Sequence, residues 1–265
     1  MVLTWERLVP DWNPQSYLKF KNERTQPSVD LVSRIKIERP QNIIDIGCGP
    51  GNSTQALAER WPDAEITGLD NSPAMIEKAK KDYPHQEWIL GDAARMDTEK
   101  RYDIVFSNAT IQWLPGHEKL IPEFMSLVKR GGALAVQVPM FNRMPLNDAI
   151  LRVAERPEWK ARMQGCADNF TYHDGDFYYR LLAPQATVVE LWQTEYIHVL
   201  PSHPALIEFC RSTALRPYLE RLPSEKDKSA FEGHLLEECQ KAYPAQPDGK
   251  VLFRFKRLFF IACNS

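Results

Sequence analysis

Asp45-Ile46-Gly47-Cys48-Gly49-Pro50-Gly51-Asn52 is the stretch on which the fold turns. It continues a short apolar run, Asn42-Ile43-Ile44-Asp45-Ile46, and leads into a helix-forming stretch over 52–60. A glycine loop between a strand and a helix is the setting of a nucleotide-binding turn. Glycines let the chain bend sharply and let backbone amides approach a ligand. The dinucleotide fingerprint asks for Gly-x-Gly-x-x-Gly or Ala. Gly47 and Gly49 meet it, but its third position is Asn52. The spacing is Gly-x-Gly-x-Gly, with an acid two residues ahead. No Gly-Lys-Ser/Thr follows, which excludes a P-loop.

Working outward, strands are expected at 64–69, 87–90, 102–107 and 133–138, the last after a Gly131-Gly132 turn. Helices are expected at 73–81 and 120–128. Upstream, 12–37 reads as helical, capped at Asn13-Pro14, with a second helix starting at Pro27 and presenting Val29, Leu31, Val32 and Ile35 on one face. Short connections and strict alternation describe an open sheet wound on both faces. After Pro139 the alternation stops. Strands are expected at 187–199 and 250–262, with helical stretches at 203–213 and 224–242. The fold class is therefore α/β: a doubly wound, mostly parallel seven-stranded sheet with a helical cap. Residues 1–139 form the N-terminal helices and nucleotide-binding core, 140–185 and 199–249 the cap and substrate insertions, and 186–198 and 250–265 the closing strands.

Further acids stand at strand ends: Asp70 in Thr67-Gly68-Leu69-Asp70-Asn71-Ser72, and Asp92 in Gly91-Asp92-Ala93. Ser107-Asn108-Ala109 follows the fourth strand. An acid after a strand can be a helix cap. Four such loops in order, at the carboxyl ends of adjacent strands, mark the edge where these sheets bind ligands. The run resembles motif I of the class I S-adenosylmethionine-dependent methyltransferases, with Asp70, Asp92 and Asn108 matching that family's later cofactor positions. The resemblance implies S-adenosylmethionine as cofactor. It implies that Asp45 and the amides of Gly47, Gly49 and Gly51 hold the methionine end. Asp70, with Asn71 beside it, would hold the ribose. Met75 would pack on adenine, Asp92 would bond its amino group, and Ala93 would offer an amide. Tyr17 resembles the family's N-terminal lid tyrosine.

Composition narrows the acceptor. The 265 residues carry 33 basic and 35 acidic side chains, a net charge of −2. A general polyanion binder needs a basic excess, so nucleic acid is not expected. No stretch of 18 apolar residues could span a membrane, and Met1–Trp12 lacks the build of a signal peptide. Five cysteines without a CxxC pair point to reduced thiols in a cytoplasm, with no metal signature.

After the fourth strand stands Asn108-Ala109-Thr110-Ile111 in place of the Asn-Pro-Pro-Tyr motif of amino-group methylation. The stretches Asn108–Pro115, Asp11–Leu18, Ser202-His203-Pro204, Leu215–Leu219 and Arg257-Leu258-Phe259 resemble the branch of the family that esterifies small polycarboxylates. That resemblance implies a small tricarboxylate as substrate. The alternatives are a carboxyl methyltransferase acting on a malonyl-carrier protein and an NAD-dependent oxidoreductase on the same sheet. A carboxylate is ionised at neutral pH, so no catalytic base is expected, only positioning. Arginine is the natural partner of such an acceptor.

Arg216, alone in the apolar run Leu215–Leu219, is the first candidate, with cap packing as the competing reading. Arg257 lies in an alternating strand where a solvated face accounts for charge equally simply. Trp113, Tyr178 and His203 are the other candidates for the substrate wall; each could instead pack or start a helix. Arg24, Arg143 and Tyr179 are weaker candidates, as helix-surface, loop and cap residues.

Overall fold

The structure, a computed structural model, describes residues 20–96 and 99–264. Seven strands form one sheet: β1 (Asn42–Ile46), β2 (Glu65–Asp70), β3 (Glu87–Leu90), β4 (Tyr102–Asn108), β5 (Val128–Pro139), β6 (Val188–Leu200) and β7 (Val251–Cys263). Their spatial order is β3-β2-β1-β4-β5-β7-β6. β1 to β5 are parallel; β7 runs antiparallel to β5 on one side and β6 on the other. The chain winds outward from β1 to β3, then crosses back to β4 and winds the other way. The crevice at the carboxyl ends of β1 and β4 lies at that reversal, where wound sheets bind ligands.

Ten helices have been described: α1 (Lys21–Arg34), α2 (Asn52–Arg60), α3 (Pro73–Asp82), α4 (His117–Ser126), α5 (Pro145–Ala154), α6 (Lys160–Met163), α7 (Gly175–Leu182), α8 (His203–Arg211), α9 (Arg216–Leu219) and α10 (Glu225–Ala242). α1 and α2 cover one sheet face, setting Leu31, Ile35, Leu57 and Trp61 on Ile43, Ile104, Phe106 and Phe259. α4 and α7 cover the other, with Phe124 and Tyr178 among Val105, Val136 and Phe260. The central strands are apolar on both sides because both sides are covered. A third apolar cluster joins α5, α8 and α10 to the outer ends of β6 and β7, through Ile150, Phe209, Phe231, Leu235 and Phe253. It forms a cap beyond the carboxyl edge of the sheet.

Three expectations shift. Pro27 starts no new helix; it lies buried inside α1. An interior proline costs about 3 kcal/mol. Burial of Leu31, Val32 and Ile35 offsets this, at roughly 1.5–3 kcal/mol for each side chain. The Gly131-Gly132 pair is no turn: β5 begins at Val128 and passes through it, and the β4–β5 register shifts between Tyr102 and Ile104. A Cβ on Gly132 would stand 2.6 Å from the Asp103 carbonyl, so only glycine lets the two strands approach there. Finally, α7 packs in the sheet core with Tyr178 and Leu182, although its residues fall in the segment expected to form the cap.

Candidate active site

The glycine loop is stitched to its neighbours by short backbone bonds. Gly47 and Cys48 donate their N–H groups to the Leu69 carbonyl at 2.7 and 3.0 Å. Gly49 N–H donates to Asp70 Oδ2 and Ser72 N–H to Asp70 Oδ1, both at 2.9 Å. Gly91 N–H reaches the Asp70 carbonyl at 3.0 Å. Thr110 Oγ1 donates to the Gly47 carbonyl at 3.2 Å, and Ser107 Oγ to that of Ile46 at 2.8 Å. The loops after β1, β2, β3 and β4 thus form one rim. Asp70 ties two of them together, and a carboxylate has acceptor capacity beyond those two bonds.

Gly47 has φ +75°, and a Cβ there would fall 2.1 Å from Thr110 Oγ1. Gly47→Ala should therefore displace the loop, abolish the thermal shift produced by a cofactor analogue and lower the melting temperature. A variant with an intact shift would contradict this account of the rim. Gly49, at φ +55°, faces open space, so its backbone is accessible to a ligand. Ala109 holds φ 54°, unusual for a residue with a Cβ. Its N–H is fixed on the Gln137 carbonyl at 3.0 Å. Such strain at the end of β4 is typical of a functional rim.

Asp45 is fully buried beneath the loop. Its Oδ2 accepts from Ser53 Oγ at 2.6 Å and Thr54 Oγ1 at 2.7 Å, both on the first turn of α2. Burial pushes its carboxyl up to about 6; the two hydroxyls oppose that shift and the Asp70 charge adds to it. Asp45 Oδ1 and Asn108 Oδ1 are buried with no hydrogen-bond partner among the described residues. Two orphaned acceptors at the ends of β1 and β4 suit a cationic donor such as an ammonium group. That chemistry fits the methionine end of S-adenosylmethionine.

On the adenine side, Met75 is buried in the first turn of α3, its N–H on Ser72 Oγ at 3.2 Å. Asn71 is exposed at the tip of the β2 loop. Asp92 is exposed and caps Ala94 N–H at 2.9 Å, next to half-buried Ala93. Gly51, at φ +93°, packs on Trp88 and Tyr83 and completes the turn into α2. Tyr17 lies outside the described residues.

The substrate candidates separate. Arg257 is 4% exposed on β7, its Nη1 donating to Gln137 Oε1 at 3.2 Å. Its guanidinium lies 4.2 Å from the Phe255 ring centroid and 5.8 Å from that of Tyr196. It pairs in register with Pro139, the last residue of β5, and so stands at the rim. Arg216 opens α9, with Nε on Glu220 Oε1 at 2.6 Å, one helical turn away. His203 opens α8 and its Nε2 meets the Tyr243 carbonyl at 2.7 Å. Trp113 follows the β4 loop and packs on Phe170 at 4.6 Å. Arg24 is buried and bonds the Phe209 carbonyl and Ser212 Oγ of the cap. Tyr179 is exposed.

Tyr178 faces the core rather than the rim. Its hydroxyl lies 2.9 Å from Nδ1 of buried His117, whose Nε2 meets the Ile111 carbonyl at 2.8 Å. Burial lowers the His117 pKa. Tyr178→Phe should cost about 1–3 kcal/mol of stability by orphaning that nitrogen, with kcat/KM unchanged within about twofold. A selective loss of turnover in a protein of normal stability would return Tyr178 to the site.

The sequence matches the family model described as "Methyltransferase domain" over residues 43–132. It is 40% identical over 254 residues to the trans-aconitate 2-methyltransferase of Azoarcus sp. (strain BH72), covering 96% of this chain and 99% of that one. It is 41% identical over 253 residues to the Yersinia pestis (strain Pestoides F) protein of the same name, with 95% and 98% covered. The chain belongs to the trans-aconitate 2-methyltransferase family. The fold is that of the class I methyltransferases. One solved example is phosphoethanolamine N-methyltransferase 2 of Haemonchus contortus in complex with S-adenosyl-L-methionine. It has 14% identity and a TM-score of 0.59, with 95% of this chain and 56% of that one covered.

Within this family frame, several polar residues had escaped the sequence reading. Ser53 and Thr54 hold Asp45, Thr110 locks Gly47, buried Gln137 accepts from Arg257, and buried His198, opposite Phe253 on β7, feels the Arg257 charge. The only signal for Gln137 was one amide in the apolar run Ala135–Met140.

Proposed function

We propose that this protein is an S-adenosylmethionine-dependent carboxyl O-methyltransferase of the cytoplasm that forms a monomethyl ester of trans-aconitate. The observation that carries the reading is a juxtaposition. A glycine rim with orphaned acceptors at β1 and β4 adjoins a buried arginine at the same edge on β7, in a chain that matches its relatives nearly end to end. That end-to-end likeness favours neither a carrier-protein acceptor nor nicotinamide chemistry. Among the described residues no helix is long and apolar enough to cross a membrane. Five free cysteines agree with a reducing compartment.

When bound, S-adenosylmethionine supplies an electrophilic methyl group on a sulfonium. The acceptor carboxylate has a pKa near ~4 and is a nucleophile without deprotonation, so the chain's residues position rather than exchange protons. Asp45 and Asn108 receive the cofactor's ammonium, and Gly47, Gly49 and Gly51 line its methionine end. Asp70 and Asn71 take the ribose. Met75, Asp92 and Ala93 take the adenine; Tyr17, outside the described residues, keeps the cofactor role that the family resemblance implies. Arg257 fixes the carboxylates that do not react, and Trp113 helps exclude water.

The test combines binding with a pH profile. S-adenosylhomocysteine at a hundredfold its Kd should stabilise the protein by about 2.7 kcal/mol, a rise of several degrees in Tm, and NAD should give no shift. With S-adenosylmethionine saturating, so that its ammonium holds Asp45 ionised, methyl transfer to trans-aconitate should be flat between about pH 6 and pH 8. A rate rising tenfold per pH unit through neutrality would instead require an acceptor that must lose a proton.

A further inference from the structure

Three strands present donors along one sheet face at the rim. Side chains two apart in a strand share a face. Gln137 on β5 is therefore level with Phe259 on β7, two residues before Arg257 in the sheet direction, while Tyr196 and His198 on β6 stand opposite Phe255 and Phe253. Gln137 is 0% exposed. Its Oε1 accepts from Arg257, and its Nε2 has no partner among the described residues. Its carbonyl anchors the strained Ala109, and its register partner is Asn108. His198 is 8% exposed, its Nε2 likewise without a partner among the described residues. Aromatic rings enclose it: Phe209 at 5.5 Å, Phe255 at 6.1 Å and Phe253 at 6.2 Å between centroids.

We infer that Gln137 and His198 are specificity-determining residues that, with Arg257, recognise the non-reacting carboxylates of a small polycarboxylate acceptor. The inference rests on the carboxyl-methylation reading and extends it to two residues. Buried amide and imidazole nitrogens without partners cost about as much as lost hydrogen bonds, so a ligand that satisfies them is the economical account. Donor chemistry names the ligand. The guanidinium and amide Nε2 donate, and imidazole Nε2 donates in one tautomer. Burial and the Arg257 charge hold His198 down to about 4, which keeps the ring neutral and the positive charge on the arginine. The acid facing this set from α1, Asp30, accepts from the Tyr196 hydroxyl, and Arg24 from the same helix is bonded to the Phe209 carbonyl and Ser212 Oγ. Anionic oxygens spread over several ångströms match such a wall.

The experiment compares the whole protein with Gln137→Leu, His198→Leu and His198→Gln. It measures kcat and KM for trans-aconitate and for a dicarboxylate lacking one arm, and the Kd of S-adenosylhomocysteine as a check of folding. Each Leu variant should raise KM for trans-aconitate at least tenfold, with a smaller fall in kcat. Discrimination over the dicarboxylate should shrink by a similar factor, S-adenosylhomocysteine affinity should stay within threefold, and His198→Gln should recover part of the loss. Leu variants that bind S-adenosylhomocysteine normally yet keep wild-type KM and discrimination would overturn the assignment while leaving the enzyme's function intact. If the wild-type complex with S-adenosylhomocysteine binds neither acid by calorimetry, both the assignment and the acceptor reading fall.

Discussion

Arg257→Leu should lower kcat/KM for trans-aconitate by about thirtyfold to several thousandfold, the 2–5 kcal/mol that loss of one member of a desolvated charge pair costs. The guanidinium is buried at the rim against Phe255 and Gln137, where water screens it little. Affinity for S-adenosylhomocysteine should stay within about threefold, because the rim at β1 and β2 does not depend on β7. Stability should change less: removing a buried charge relieves its desolvation, while buried Gln137 Oε1 loses its donor at a cost of about 1–3 kcal/mol. Arg257→Lys should restore only part of the rate, since a point charge cannot reproduce a planar fork. Wild-type turnover in the leucine variant would remove Arg257 from acceptor recognition.

Asp45→Asn should separate stability from binding in the opposite way. The folded carboxyl holds its proton up to about pH 6, against 3.8 for the ordinary group, because burial penalises its charge. Its contribution is therefore full below about pH 4 and is lost as pH rises through 6. At pH 7.5 the ionised group costs on the order of 3 kcal/mol in the free protein. An asparagine oxygen can still accept from Ser53 and Thr54. The variant should thus melt several degrees higher at pH 7.5 and show little difference at pH 4. It should also bind S-adenosylmethionine roughly ten- to a hundredfold more weakly, through loss of a charged acceptor. Calorimetric melting at both pH values, with titration of the cofactor, checks both halves. Lower stability at pH 7.5 would contradict the reading of Asp45 as a carboxylate held ionised at a cost.

The core of the fold was legible because its rules are local. Glycine spacing, five short apolar runs and the acids behind them placed the rim before any contact was known. The surroundings of the two arginine candidates were not, because elements distant in sequence set them. Arg216 stands alone in an apolar run, which suggested a desolvated charge. In a helix, however, its neighbour is the residue four positions on, and that residue is Glu220. Arg257 looked like one of several solvated charges, since Arg254, Lys256 and Arg257 follow each other closely. β7 is an interior strand, paired on both edges, and its outer stretch alternates: Arg254 and Lys256 face solvent while Phe253 and Arg257 turn inward. Which phase is buried depends on α1 and the cap, elements distant in sequence. Gln137 and His198 are likewise far apart in sequence, and β7, which carries Arg257, lies between their strands.

The most direct test supplies the protein with trans-aconitate and S-adenosylmethionine carrying a deuterated methyl group, and follows the small acids by mass spectrometry. The account predicts a product heavier by one labelled methyl group, whose label is released by mild alkali as an ester's would be. Contradiction would be a protein that binds S-adenosylhomocysteine normally yet leaves trans-aconitate unlabelled, or that attaches the label through a bond alkali does not cleave.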